Sequence, residues 1–254
     1  MSSDRISSEL KKISRRLSSD CGALRFGPHV AAVYNPLEYA SRPHKLYLKL
    51  AASSPKEVIF LGMNPGPWGM AQTGVPFGEV AAVRDWLGIK AVVGKPDYEH
   101  PKRPIEGFAC AKSEVSGRRL WGLFRERFGT PEKFFKNHFV ANYCPLVFME
   151  EGGANITPDK LPAEEAGPLF EICDRALADT INLLNPEWVI GVGGFAKKRI
   201  DRLLAGRVKG QFFSGANVRF SAAQILHPSP ASPKANAGWD REVLKTLTEL
   251  GIWS

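Results

Sequence analysis

The sequence is poor in cysteine, and what it has is not arranged for metal or redox chemistry. Among Cys21, Cys110, Cys144 and Cys173 no two form a C-x-x-C pair, so zinc ribbons, thioredoxin-like motifs and ferredoxin-type clusters are unsupported. Four scattered cysteines fit small buried thiols in a reducing compartment. Long apolar runs are also missing. Nothing approaches the ~20 residues that a membrane-spanning helix needs, and residues 1–20 are polar and basic, without the apolar stretch of a signal peptide. No membrane association is expected. The five histidines, His29, His44, His100, His138 and His227, make no H-E-x-x-H, and no serine sits in a G-x-S-x-G elbow. No G-K-[ST] follows a glycine run, which removes the P-loop. Neither a metal site nor a cofactor is expected.

What is present is an ordinary globular composition with an excess of positive charge. The chain has 254 residues, 44% hydrophobic and 24% charged, so a full core is affordable and global disorder is excluded. The net charge of +8 is compatible with a polyanionic partner without proving one. Two stretches concentrate it. Ile6, Leu10, Ile13 and Leu17 recur at helical spacing with Arg5, Lys11, Lys12, Arg15 and Arg16 between them, which reads as a basic amphipathic helix over 1–25 packed on the rest. Lys197, Lys198, Arg199, Arg202, Arg207 and Lys209 stand against a single Asp201.

Between and beyond these, strands alternate with helices. Strands are expected at 57–62 (EVIFLG), 138–143 (HFVANY), 188–192 and 218–226, and helices at 79–87, 114–128, 161–184, 195–204 and 240–250. That alternation predicts one α/β domain, residues 26–254, with a mostly parallel sheet. Ligands of such sheets sit beyond the carboxyl ends of the strands, and the unusual segments all lie there.

The first is 62–80, GMNPGPWGMAQTGVPFGEV. Its glycines and prolines make a tight, stiff loop that a ligand can approach closely. Asn64, at the strand tip, can hold a water but is no strong base; otherwise it stabilises a turn. The second is 227–239, HPSPASPKANAGW, in which His227 occupies a strand end opposite the Asn64 loop. The third is 141–146, ANYCPL, where the Asn142 amide can pair with the edge of a flat heterocycle or merely cap the strand. Gly191, Gly193 and Ala196 match G-x-G-x-x-A, but Arg207 and Lys209 stand where a dinucleotide site wants an acid. Those glycines are expected to let a helix approach the sheet or a phosphate.

Taken in order, GMNPGP, GVPFGEV, EHPKRP (99–104), SEVSG (113–117), ANYCPL, NITP (155–158), HPSP and KANAGW resemble the single-strand-selective monofunctional uracil-DNA glycosylases, within the uracil-DNA glycosylase superfamily. The resemblance runs from about residue 26 to 253. It implies a three-layer α/β/α sandwich with a central four-stranded parallel sheet. It implies hydrolysis of the N-glycosidic bond of uracil and of 5-oxidised uracils, in single- and double-stranded DNA, leaving an abasic site. The base must be flipped out of the stack to be reached. By the same resemblance Asn64 positions the attacking water, and His227 donates to the uracil O2 as negative charge grows there. Phe77 stacks on the flipped base, and Asn142 reads N3–H and O4. Met63, Gly66 and Met70 line the pocket. Gly152, Gly153 and Asn155 flank the duplex, and Pro228, Ser229, Pro230, Ala231, Ser232 and Lys234 form the wedge segment that fills the gap. Here the chain departs from the vertebrate pattern, which has Arg-Asn in place of Ala231 and Ser232. A short wedge implies a weaker push on paired DNA. No lysine occupies a pocket position, so neither a Schiff base nor strand cleavage is expected. The implied partner is DNA carrying damaged bases, met as a monomer. The implied location is the cytoplasm at the nucleoid in a prokaryote, or the nucleus in a eukaryote. The rival reading is a non-catalytic nucleic-acid-binding protein on the same fold, which would need neither Asn64 nor His227.

Overall fold

The computed structural model describes residues 3–208 and 219–253. In chain order the first elements are α1 (Ser3–Gly22), β1 (Ala32–Tyr34), α2 (Pro36–Tyr39), α3 (Ser41–Ala51), β2 (Val58–Gly62) and α4 (Met70–Thr73). Then come α5 (Val115–Phe128), α6 (Pro131–Asn137), β3 (His138–Asn142), β4 (Val147–Met149), β5 (Asn155–Ile156) and α7 (Ala163–Leu184). The last are β6 (Trp188–Val192), α8 (Gly194–Val208), β7 (Ser221–Ile225) and α9 (Pro233–Glu249).

The four expected strands form one parallel sheet of order β3-β2-β6-β7. β2 is paired on both edges and buried at all five residues, as an uninterrupted apolar run should be. β7 is an edge strand, and its SAAQI sequence is small and polar enough to tolerate exposure. Helices cover both faces, giving the three-layer α/β/α arrangement. α8 lies against β6 and β7, and α1 packs on α7 and α3. α5 joins α6 and α9. The core is dense in aromatic rings. Phe124 and Phe134 stack at 4.4 Å, and Trp253 Nε1 donates to His138 Nε2 at 3.0 Å.

α1 packs on α7 and α3. Ile6 and Leu10 are buried, and Arg16 pairs with Asp179 of α7. Ser14 donates to His44 Nε2 (2.8 Å), and His44 Nδ1 donates to the Gly74 carbonyl (2.8 Å), tying α1 to the segment after α4.

Several boundaries differ from the sequence expectation. The helix expected at 79–87 is one turn, with a π-helix over Ala82–Trp86 closed by Leu87 N–H to Ala82 O. The helix expected at 195–204 runs from Gly194 to Val208. The last helix begins at Pro233, seven residues before 240. Ser232 Oγ caps Ala235 N–H, and a break at Gly238 (φ 146°) interrupts the apolar period. Lys234 is therefore on a helix instead of in the wedge loop. The fourth strand starts at Ser221, and Val218 lies outside the described residues. A second sheet, antiparallel β1-β4-β5, was not expected. Its strands of two or three residues are too short to carry a period.

A candidate active site at the carboxyl ends of the sheet

The loops after β2, β3 and β7 converge on a cavity of about 350 Å³. Met63, Asn64, Gly66, Phe77, Asn142, Asn155, His227 and Ser229 all line it, although up to 166 positions separate them. Neighbouring strands in register explain the meeting. Gly62 of β2 pairs with Asn142 of β3, so the Asn64 loop and the ANYCPL turn leave the sheet side by side.

Asn64 and His227 are oriented by backbone partners, Asn142 by a side chain. Asn64 Nδ2 donates to Leu146 O at 3.1 Å, which leaves Oδ1 to accept. His227 Nδ1 accepts from Ser229 N–H at 3.1 Å, so the neutral ring carries its proton on Nε2. Burial lowers the His227 pKa, which keeps the ring neutral. Asn142 Nδ2 donates to Met70 Sδ at 3.3 Å. A thioether is a weak acceptor, and a carbonyl oxygen displaces it readily. Met70 itself is buried behind Asn142 and does not line the cavity.

Phe77 is held in a costly backbone conformation. Its φ is +53°, which for an aromatic residue costs about 1–3 kcal/mol. The neighbours enforce it. Trp121 Nε1 donates to Pro76 O (3.2 Å), Thr73 Oγ1 donates to Gly78 O (2.9 Å), and Glu79 N–H donates to Phe77 O (2.8 Å). The ring lies over Gly62, where an added Cβ would stand 2.6 Å from its edge atoms and run into Asn142 Oδ1. It is 6.4 Å from the His227 ring.

The loop over 228–232 is fastened from α5. Arg119 donates to Pro228 O at 3.1 Å and to Asn236 Oδ1 at 2.9 Å, while Asn236 Nδ2 donates to Pro230 O at 2.9 Å. Pro230, Ala231 and Lys234 are exposed. Gly152 and Gly153 lie outside the cavity at the β4–β5 turn, where Gly153 packs on His100 and Lys102.

Pro65, Glu114, Ser116 and Thr157 also line the cavity, and the sequence assigns none of them an individual role. Thr157 is the third residue of the NITP segment. Glu114 was read only as a helix start; it is the N-cap of α5, yet its side chain caps no amide. A glutamate where Ser, Thr, Asp or Asn is preferred was the available signal. Gly191 needs no dinucleotide. A Cβ there would meet Lys197 N at 2.5 Å, so it lets α8 close onto β6.

The basic stretches are not free arrays. Arg199 and Arg202 pair with buried Asp174, Lys197 pairs with Asp201, and Lys12 with Glu9. Arg199 also stacks on Phe170. The Lys209 position lies outside the described residues. Nearer the cavity, Arg103 and Lys112 sit over the Trp68 ring at 5.2 and 4.0 Å. Among the described residues no group of three His, Cys, Asp or Glu is placed to hold a metal ion, and no helix is long and apolar enough to cross a membrane.

The sequence model of the Uracil DNA glycosylase superfamily matches residues 51–249. Over 237 residues the chain is 49% identical to the single-strand selective monofunctional uracil-DNA glycosylase of Rattus norvegicus, which spans 93% of this chain and 82% of the rat protein. The chain belongs to the single-strand selective monofunctional uracil-DNA glycosylase family. The Bos taurus family member is 48% identical over the same share of this chain and 84% of its own. The crystal structure of Pedobacter heparinus SMUG2 superposes with a TM-score of 0.61 at 15% identity, over 94% of this chain and 97% of that one. That likeness is one of fold, and it includes the α/β/α layering described for this family member.

Proposed function

We propose that the protein is a monofunctional DNA glycosylase. It hydrolyses the N-glycosidic bond of uracil and of 5-oxidised uracils such as 5-hydroxymethyluracil, in single- and double-stranded DNA, and starts base excision repair by leaving an abasic site. One observation carries the reading: Asn64, Phe77, Asn142 and His227 line a single cavity of about 350 Å³. A flipped pyrimidine stacks on Phe77, and such stacking contributes roughly 1–3 kcal/mol per base. Asn142 donates from Nδ2 to O4 and accepts N3–H at Oδ1, whereas cytosine presents the opposite pattern. Asn64 Oδ1 accepts from the attacking water. As the C1′–N1 bond lengthens, the sugar becomes cation-like and charge collects on the base. His227 Nε2–H meets that charge at O2 as a fixed dipole. Met63 and Gly66 line the pocket floor, and Met70 backs Asn142.

Gly152 and Gly153, outside the pocket, flank the duplex together with Asn155, which lines the cavity. Pro228, Ser229, Pro230, Ala231 and Ser232 enter the gap left by the flipped nucleotide, with Lys234 at a phosphate. The enzyme works as a monomer without cofactor, at the nucleoid of a prokaryote or in the nucleus of a eukaryote. Residues 26–254 act as one catalytic domain, with the N-terminal helix over 1–25 as its brace.

The test is incubation with oligonucleotides bearing uracil, 5-hydroxymethyluracil, hypoxanthine or xanthine, scored for alkali-labile sites. Cleavage at the uracils by wild type and its loss in both Asn64→Ala and His227→Ala is the expected result. Full single-turnover activity in those two variants would refute the assignment.

A further inference from the structure

The cavity contains an acid that the scheme above leaves idle. Glu114 is the only Asp or Glu among its lining residues. The carboxyl lies under the Asn64 loop, where a Cβ at Gly66 or Gly69 would overlap its oxygens. Those two glycines, two and five residues beyond Asn64, leave a seat for it beneath the loop. Oε2 is enclosed and has no hydrogen-bond partner. An enclosed carboxylate oxygen without a donor is costly unless the group has work to do or a proton to hold.

The proton inventory of the cavity is short. Hydrolysis takes a proton off the attacking water, and an amide such as Asn64 cannot accept it. His227 cannot readily accept it either, because Nδ1 already accepts from Ser229 N–H and Nε2 holds the ring proton. We propose that Glu114 is the proton acceptor for the attacking water, which Asn64 Oδ1 and a Glu114 oxygen hold between them. This rests on the glycosylase reading above.

The step balances without a co-reactant. The water oxygen forms a bond to C1′ and the C1′–N1 bond breaks, its electron pair leaving with the base. The water proton passes to the Glu114 carboxylate. The base anion, held at O2 by His227 Nε2–H, is protonated from solvent after release, and Glu114 returns its proton to solvent. The environment suits an acceptor near neutrality. Burial pushes the Glu114 carboxyl up to about 7, and the Glu79 carboxylate adds to the shift. Glu79 approaches from the segment after Phe77, where it caps Ala82 N–H. His227 faces the same cavity from beyond β7, and the 62–69 loop brings no ionisable side chain. A base poised near the working pH is the efficient one.

The experiment measures single-turnover excision from a uracil oligonucleotide between about pH 5 and about pH 9, for wild type, Glu114→Gln and Glu114→Asp, with thermal melts and abasic-DNA binding on each. The wild-type rate should rise with pH to a plateau. Glu114→Gln should lie roughly 10²–10⁴-fold below that plateau and lose the acid limb while binding DNA as before. Glu114→Asp should fall in rate but keep a limb. A wild-type profile without an acid limb overturns the proposal whatever the variants do. So does a Glu114→Gln enzyme that keeps either the wild-type rate or its limb, since a packing role would leave the titration in place. Wild type that excises no uracil refutes the glycosylase reading itself, and the two failures are told apart on that reading's own control.

Discussion

Gly62→Ala tests whether the pocket depends on one missing methyl. The added Cβ would stand 2.6 Å from two edge atoms of the Phe77 ring and closer still to Asn142 Oδ1. Ordinary contact begins near 3.5 Å, so both groups must retreat by about 1 Å. Phe77 cannot retreat cheaply. Its backbone is fixed at φ +53° by bonds from Trp121, Thr73 and Glu79. Asn142 is locked in the β2–β3 register. The stability cost should be that of overpacking, about 1–3 kcal/mol. The catalytic cost should be larger, because misplacing a positioning group by about 1 Å costs roughly 10²-fold in rate. The assay pairs single-turnover uracil excision with a thermal melt. Gly122→Ala is the control, since this exposed glycine of α5 has nothing within 4 Å of an added Cβ. It should gain up to about 1 kcal/mol of helix stability and leave the rate alone. If Gly62→Ala excised uracil at the wild-type rate, Phe77 and Asn142 would not be the pair that sandwiches and reads the base.

His227→Ala should slow excision by about 2.7–4 kcal/mol, the loss of one preorganised donor, with DNA binding little changed by filter assay. Ala231→Arg should raise activity on paired U·A duplex more than on single strands; an unchanged ratio would remove the short wedge as the cause of strand preference. Arg119→Ala should free the wedge loop and cost roughly 1.5 kcal/mol of stability by thermal melt, the low end for bonds to a charged group. Acid should weaken the fold through two buried rings, because His44 and His138 are each pushed down to about 4. The unfolded chain therefore takes up protons first. Stability present above about pH 6.5 is lost between there and about pH 4, by up to roughly 3 kcal/mol per ring. A melting temperature that is flat across that window would count against those assignments.

The sequence made the central sheet and its loops readable for a physical reason. EVIFLG is apolar without interruption because β2 is covered on both faces and both edges, and the Gly-Pro segment after it cannot continue a strand. The ends of α9 were less legible. The helix is broken at Gly238, so its apolar period starts again after the break and 233–238 reads as loop. β1, β4 and β5 have two or three residues each, and β1 finds its partner β4 more than a hundred positions away. The same limit hid Glu114. Its neighbours in sequence describe a helix start, and only the packing of the Asn64 loop over it brings it into the cavity. Arg199 shows the opposite error. Its place in a basic run pointed to phosphate, but Asp174 and Phe170, brought by α7, claim it for the interior.

That internal pairing bears on how a basic protein keeps its chemistry selective. Arg16, Lys197, Arg199 and Arg202 have carboxylate partners within the chain, so much of the +8 comes from side chains outside these pairs, such as the exposed Arg118 and Lys234. Cations there attract phosphates anywhere along DNA, with a salt dependence that reports their number. A cation inside the cavity would do the same, because a phosphate carries its full charge at rest and the base gains one only as it departs. On the proposed assignment, the His227 pocket avoids this. Burial lowers the ring's pKa and Ser229 N–H occupies Nδ1, so Nε2–H offers a dipole and no net charge. A neutral donor attracts a resting phosphate little and meets the base oxygen only as charge develops there. A fixed dipole can thus select the transition state where a charged ring would hold the backbone.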